Sequence, residues 1–309
     1  MTNSEWPVVS ELLAEIDDDI RTELANKPDV KDVAPEAFDA KQLPLGQRLW
    51  HRLEDVVAVV VDLKGSTRLS TGNEHAASTA TVYEAATDNA VKVFNKFSAD
   101  FIQIQGDGVL ALFWGENRFE RAICAGITVK SFGASLKDKV FDKWGIETGY
   151  KVGIASGRVL AKRLGTPRNL DEQEPVWAGK PVNFATKAAQ HADVNELIVT
   201  ASVWAEVEDI DYLVVSCGHN DGKPSTKAGL WRGVQIENIA HEDESKGQLL
   251  EATWCEHCGD EFCSKILAGE KSRSDSAMAA QESRQKALAF FGNSLANVRS
   301  RKPKNRGPR

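Results

Sequence analysis

The chain has 309 residues, a net charge of −7, 42% hydrophobic content and only 7% aromatic content, enough apolar material for one large domain or a domain with flanking pieces. Its acidic balance argues against a surface that binds nucleic acid throughout. No early apolar run resembles a signal peptide and none approaches the length of a membrane span, so a cytoplasmic protein without membrane contact is expected. The five cysteines, an odd number, favour reduced thiols or a metal over a disulfide framework.

In chain order, residues 6–24 place Val9, Leu12, Leu13, Ile16, Ile20 and Leu24 on one helical stripe, with Glu and Asp opposite and Ser4 as a candidate cap. That is an amphipathic arm suited to covering the core or a dimer partner. Residues 27–42, with Pro28 and Pro35, read as an irregular linker. Arg48, Trp50 and His51 follow, close enough to the first strand to reach the mouth of a site at its end.

Residues 56–61 are six apolar residues, five of them Val. The run is too short for a span and too β-branched for a comfortable helix, so it reads as a strand buried on both faces. Asp62 closes it. The turn Leu63-Lys64-Gly65-Ser66-Thr67 offers Gly and hydroxyl residues that can aim backbone N–H groups at an anion. Residues 74–98 have helical spacing and would cross the sheet. Residues 101–105 and 109–113 read as two strands joined through Gly106-Asp107-Gly108, a tight turn. If that hairpin pairs beside the first strand, Asp107 lies next to Asp62. Two carboxylates beside a phosphate-accepting turn suit two divalent cations holding a nucleoside triphosphate.

Residues 117–136 offer a second helix with Cys124 on its apolar face, residues 146–155 and 158–162 read as strands around a Ser156-Gly157 turn, and residues 167–175 read as a surface loop. Residues 180–190 form the next helix, on which Asn183 and Lys187, at i and i+4, present an amide and a cation to one ligand. Residues 195–199 and 212–216 read as strands with a short helix, 201–207, between them. Cys255 and Cys258 form a C-x-x-C pair with Cys263 five residues on. Three thiols can make a structural zinc site with an imidazole or with Cys217 or His219 as a further ligand. From residue 271 to the end there are ten Lys or Arg against two acids. This stretch reads as a solvated basic tail, with residues 281–298 as a possible helix within it.

The ordered set Asp62-x-x-Gly65-Ser66-Thr67, Gly106-Asp107-Gly108 and Gly179-Lys180-Pro181-Val182-Asn183-Phe184-Ala185-Thr186-Lys187 resembles the class III nucleotidyl cyclases over residues 56–204. The resemblance implies an α+β fold: a class III cyclase catalytic domain with a ferredoxin-like β-α-β-β-α-β core, homodimeric, at residues 51–240. A helical arm and linker at 1–50 would precede it, and an extension with the Cys cluster and basic tail at 241–309 would follow. It also implies two divalent cations, Mg2+ or Mn2+, on Asp62, Leu63 and Asp107, and triphosphate contacts from Lys64, Gly65, Ser66 and Thr67. Asn183 would orient the ribose and Lys187 would steady the α-phosphate across a dimer interface, giving a homodimer with shared active sites. Lys187 stands where the family has Arg, so it delivers a point charge rather than a planar fork.

At the offsets where adenylate cyclases carry Lys and Asp, and guanylate cyclases typically Glu and Cys, this chain has Gln103 and Val176. Val176 cannot accept the adenine amino proton, whereas Gln103 both donates and accepts and can serve uracil or cytosine. Trp177 can fill the space of a purine's second ring or pack in the core. Absence of both purine sets resembles the bacterial pyrimidine cyclases of anti-phage Pycsar systems, whose cyclic UMP or cyclic CMP acts on a separate effector. UTP is the favoured substrate; cytidylate cyclase, an adenylate cyclase with a rebuilt base pocket, and a nucleotide sensor are the alternatives.

Overall fold

A computed structural model describes residues 6–65, 75–166, 168–219 and 230–276. In chain order the elements are α1 (Val9–Ala25), β1 (Asp29–Asp32), β2 (Leu49–Lys64), α2 (His75–Lys96), β3 (Phe101–Gln105), β4 (Gly108–Phe113), α3 (Arg118–Trp144), β5 (Gly149–Gly165), β6 (Gln173–Gly179) and α4 (Lys180–His191). There follow β7 (Glu196–Val199), α5 (Ala201–Val207), α6 (Asp211–Val214), β8 (Trp231–Gln235), α7 (Glu242–Ser245), β9 (Lys246–Leu250) and α8 (Gly259–Leu267). Among the described residues no helix is long and apolar enough to cross a membrane.

The chain divides into two compact units, one from residues up to Glu54 with Arg158–Ala178, the other from Asp55–Gly157 with the remainder. The larger unit holds the site. Its strands run in the order β3-β4-β2-β5-β7-β9-β8, and the first four are the order a ferredoxin-like β-α-β-β-α-β core requires. Alternation decides the faces. Val57, Val59, Val61 and Leu63 of β2, Val109, Ala111 and Phe113 of β4, and Tyr150, Val152 and Ile154 of β5 join one core cluster with α2 and α3. Gly126 of α3 sits against Ile154, where an added Cβ would come within 2.8 Å of its side chain. The alternate residues Asp62, Lys151 and Gly153 therefore belong to the other face, on which α4 packs at Gly153.

Several elements differ from the expected pattern. The two strands expected around Ser156-Gly157 are one strand, β5, because Gly157 takes a φ of +142° and lets the chain bend without leaving the extended run. Residues 212–216, β-branched enough to suggest a strand, instead follow a single helical turn. Val214 and Val215 donate to the carbonyls of Ile210 and Asp211 at 3.2 and 2.8 Å, and the edge of β7 is taken by β9. The sheet thus draws in β9, which lies beyond the expected domain end at 240.

In the smaller unit β1 pairs in parallel with the start of β2, Val30 opposite Trp50, so part of the expected linker is a strand. α1 forms as expected, but starts at Val9 with Val8 at the cap position, and it buries none of its residues. Leu12, Leu13, Ile16, Ile20 and Leu24 are all exposed. The stripe does not cover this chain's own core. Ser4 and the expected helix at 281–298 lie outside the described residues.

Candidate active site

Asp62 reaches its position because the apolar run of β2 pairs antiparallel with β4 from Val57↔Phe113 to Val61↔Val109. Continuing that register sets Gly108 opposite Asp62 and Asp107 opposite Leu63. The close approach needs glycine: a Cβ on Gly108 would lie 2.9 Å from the Val61 carbonyl oxygen. Gly106 has a φ of +65°, in the left-handed region that favours glycine. The hairpin turn therefore brings Asp107 to the strand end that carries Asp62.

Lys151, which sequence reasoning missed, completes the charge pattern. Its Nζ lies 2.6 Å from Asp62 Oδ2, with the lysine side chain 15% and the aspartate side chain 40% exposed. Its only trace in the sequence is a cation within a Val- and Gly-rich strand, which by itself reads as an outward-facing Lys. Tyr150, beside it, turns into the core. Its phenol oxygen is buried with no hydrogen-bond partner among the described residues, and burial, then the charge of Asp107, push its ionisation well above the ordinary tyrosine range. The carboxylate oxygens of Asp62 and Asp107 are hard donors of the kind divalent cations take, once the Lys151 ammonium gives up its place on Asp62.

In the turn after β2, the Leu63 side chain is buried in the core, which leaves only its main chain for a metal contact. The Lys64 carbonyl accepts a 2.9 Å hydrogen bond from Thr148 Oγ1. The Lys64 ammonium is paired with Asp193, whose carboxyl is held below its ordinary range chiefly by that hydrogen bond. Gly65 has a φ of +82° and a Cβ there would meet the Glu147 carbonyl at 3.0 Å. Ser66 and Thr67 lie outside the described residues.

Asn183 and Lys187 share α4 as expected. The helix lies so close to β5 that a Cβ on Gly153 would fall 2.1 Å from the Ala185 carbonyl oxygen and 2.4 Å from the Ala189 nitrogen. Asn183 is exposed. Lys187 donates to the Asn238 carbonyl and lies 5.9 Å from the centre of the Phe184 ring. Among the described residues no hydrogen bond or ion pair joins either of them to Asp62 or Asp107.

Gln103 pairs with Leu110, which pairs with Val60, so Gln103 shares the sheet face of Asp62. Its Oε1 accepts a 3.3 Å hydrogen bond from Gln105 Nε2. Gln105 was also missed, although its i, i+2 spacing on a strand puts it on the same face. Val176 and Trp177 belong to β6 in the smaller unit. There Val176 is half-buried and Trp177 is buried edge-on against Phe38, ring centres 6.0 Å apart. Arg163 is hydrogen-bonded to the carbonyls of Leu43 and Ala40 at 3.3 and 3.4 Å.

The cysteine grouping differs from the expected one. Cys255 and Cys258 gather with Cys217 and His219, while Cys263 stands apart. Cys263 lies one turn into α8 and packs against the core cluster that holds the buried Cys124 of α3.

No protein-family model matches the chain. A uridylate cyclase of Micromonospora echinofusca is 49% identical over 268 residues, 85% of this chain and 86% of that one. A uridylate cyclase of Propioniciclava tarda is 44% identical over 266 residues, 85% of each. The chain belongs to the uridylate cyclase family. Among solved structures, this uridylate cyclase family member is similar to the adenylyl cyclase CyaB of P. aeruginosa, with a TM-score of 0.52 and 14% identity over 66% of this chain and 96% of that one. It is also similar to the guanylyl cyclase Cya2, with a TM-score of 0.51 and 16% identity over 67% and 95%. At those identities the likeness is one of fold: the class III cyclase fold expected from the motifs.

Proposed function

We propose that this chain converts UTP to 3′,5′-cyclic UMP and pyrophosphate. The observation that carries this reading is the β2–β4 register, which puts Asp107 at the strand end that carries Asp62; Gln103, on the sheet face of Asp62, is taken as the base-reading residue in this reading. The ribose 3′-oxygen attacks the α-phosphorus, the bond from that phosphorus to the bridging oxygen breaks, pyrophosphate leaves, and the hydroxyl proton passes to solvent. Mg2+ or Mn2+, held by Asp62, Asp107 and the Leu63 main chain, would neutralise phosphate charge and lower the pKa of the 3′-hydroxyl. Asn183 orients the ribose, and Lys187, released from Asn238, steadies charge on the α-phosphate oxygens. Lys64, Gly65, Ser66 and Thr67 hold the triphosphate.

Uracil is favoured over cytosine by the Gln105 to Gln103 hydrogen bond. With its oxygen accepting from Gln105, the Gln103 amide keeps its NH2 as a donor suited to the O4 carbonyl of uracil. Val176, seven residues before Asn183, offers no acceptor for an adenine amino group.

The active unit in this reading is a homodimer with two shared sites, Asn183 and Lys187 of each chain serving the carboxylates of the other. Two features support it: among the described residues no hydrogen bond or ion pair joins Asn183 or Lys187 to Asp62 or Asp107, and the apolar stripe of α1 is exposed. The product would serve as a cytoplasmic second messenger for a separate effector in anti-phage defence, a role supported by the motif resemblance. Incubation with each of ATP, GTP, CTP and UTP and manganese tests the reaction, with Asp62→Ala as the inactive control.

A further inference from the structure

The larger unit holds a second constellation of ligand atoms, chemically unlike the carboxylate site. Cys217, His219, Cys255 and Cys258 each offer one ligand atom, and these four atoms lie within 4.8 Å of one another. His219 Nδ1 is 3.5 Å from Cys255 Sγ and 4.0 Å from Cys258 Sγ. Zinc bonds of about 2.3 Å to sulfur and about 2.0 Å to nitrogen put neighbouring donors of a tetrahedron roughly 3.5 to 3.8 Å apart. We propose that Cys217, His219, Cys255 and Cys258 bind one structural zinc ion.

Both ligand-bearing segments are braced from outside the cluster, so the donors converge on the strength of the surrounding fold. Arg273, buried, donates to the carbonyls of Val215 and Ser216 just before Cys217. Trp254 is fixed to α3 on the other side: its backbone N–H donates to Ser131 Oγ at 3.0 Å and its indole N–H to Thr128 Oγ1 at 2.9 Å. The Gly259 N–H then closes a turn on the Cys255 carbonyl at 2.8 Å, which brings Cys258 back over Cys255. All five cysteines are free thiols. Three thiolates and an imidazole with no open position are a soft, closed set, suited to zinc and unsuited to the hard cations of the carboxylate site. The ion would pin the chain after α6 to the start of α8. The two segments are 36 residues apart in sequence, which is why the C-x-x-C pair alone pointed to Cys263.

The test uses the full chain, purified without a metal-affinity step and desalted. One zinc per chain by elemental analysis is expected, with Cys217, Cys255 and Cys258 shielded from a thiol reagent until a strong chelator is added. Cobalt in place of zinc should give thiolate charge-transfer and tetrahedral d–d bands. Cys263→Ala should keep the metal, and Cys255→Ser should lose it or fail to accumulate. His219→Cys, at an exposed position, should keep the metal while shifting the cobalt spectrum. Metal-free protein after zinc supplementation with freely reacting thiols, a disulfide within the cluster by intact mass, or full zinc occupancy in Cys255→Ser would each overturn the assignment. None of these readouts depends on cyclase activity.

Discussion

Lys151 Nζ lies 2.6 Å from Asp62 Oδ2, so an ammonium from β5 occupies the carboxylate that would otherwise wait for a cation. Two positive groups cannot share that oxygen without cost, and a divalent ion binding there must displace the lysine. Lys151→Met should therefore lower the manganese concentration giving half-maximal cyclisation. A titration of rate against manganese for both proteins checks this; an unchanged or higher requirement would remove Lys151 from the account.

Gly153 allows α4 to lie on the sheet. An alanine there would put its Cβ 2.1 Å from the Ala185 carbonyl oxygen, a backbone contact that no rotamer can relieve. Gly153→Ala should cost roughly 1–3 kcal/mol or more of stability. It should also reduce activity beyond the loss of folded protein, because the shift carries Asn183 and Lys187 with it. Chemical denaturation and the rate per folded molecule measure the two effects separately.

His51 gives the smaller unit a pH dependence. Burial, then the nearby charge of Lys31, hold its pKa below the ordinary 6.5, and its Nδ1 is buried without a partner among the described residues. The folded state thus favours the neutral ring, and the unfolded chain takes up the proton first. Its contribution to stability is complete above pH 6.5 and is lost as pH falls below that toward the depressed folded value. Melting curves at about pH 7.5 and about pH 5.5 should show a smaller drop for His51→Phe than for the unaltered protein; equal drops would contradict the assignment.

Shared sites can be tested by mixing. Asp62→Ala and Lys187→Ala should each lose roughly 10²- to 10³-fold in rate or more. Exchanged together, random dimers should regain about a quarter of full activity, since half are mixed and each mixed dimer has one intact site. Two inert variants that stay inert as mixed dimers would place each site within one chain.

The parts of this molecule that were legible in its sequence are local. The valine run ending in Asp62, the Gly106-Asp107-Gly108 turn and the helical spacing of Asn183 and Lys187 each declare themselves within a few residues, and the ferredoxin-like order follows from their succession. The pairing of Lys151 with Asp62 and the joining of His219 to Cys255 depend on partners that only the folded chain brings together. Residues 212–216 show the converse: apolar content suggested a strand, but β9 occupies the sheet edge beside β7 and the segment turns helical. The bare stripe of α1 was legible as amphipathic, though not as unburied in its own chain.

The most direct measurement is a competition: ATP, GTP, CTP and UTP in equal amounts with manganese and the purified protein, the products resolved against 3′,5′-cyclic standards. Cyclic UMP as the dominant product, absent with Asp62→Ala, is the expected result; cyclic AMP or cyclic GMP as the dominant product would contradict the reading of Gln103 and Val176.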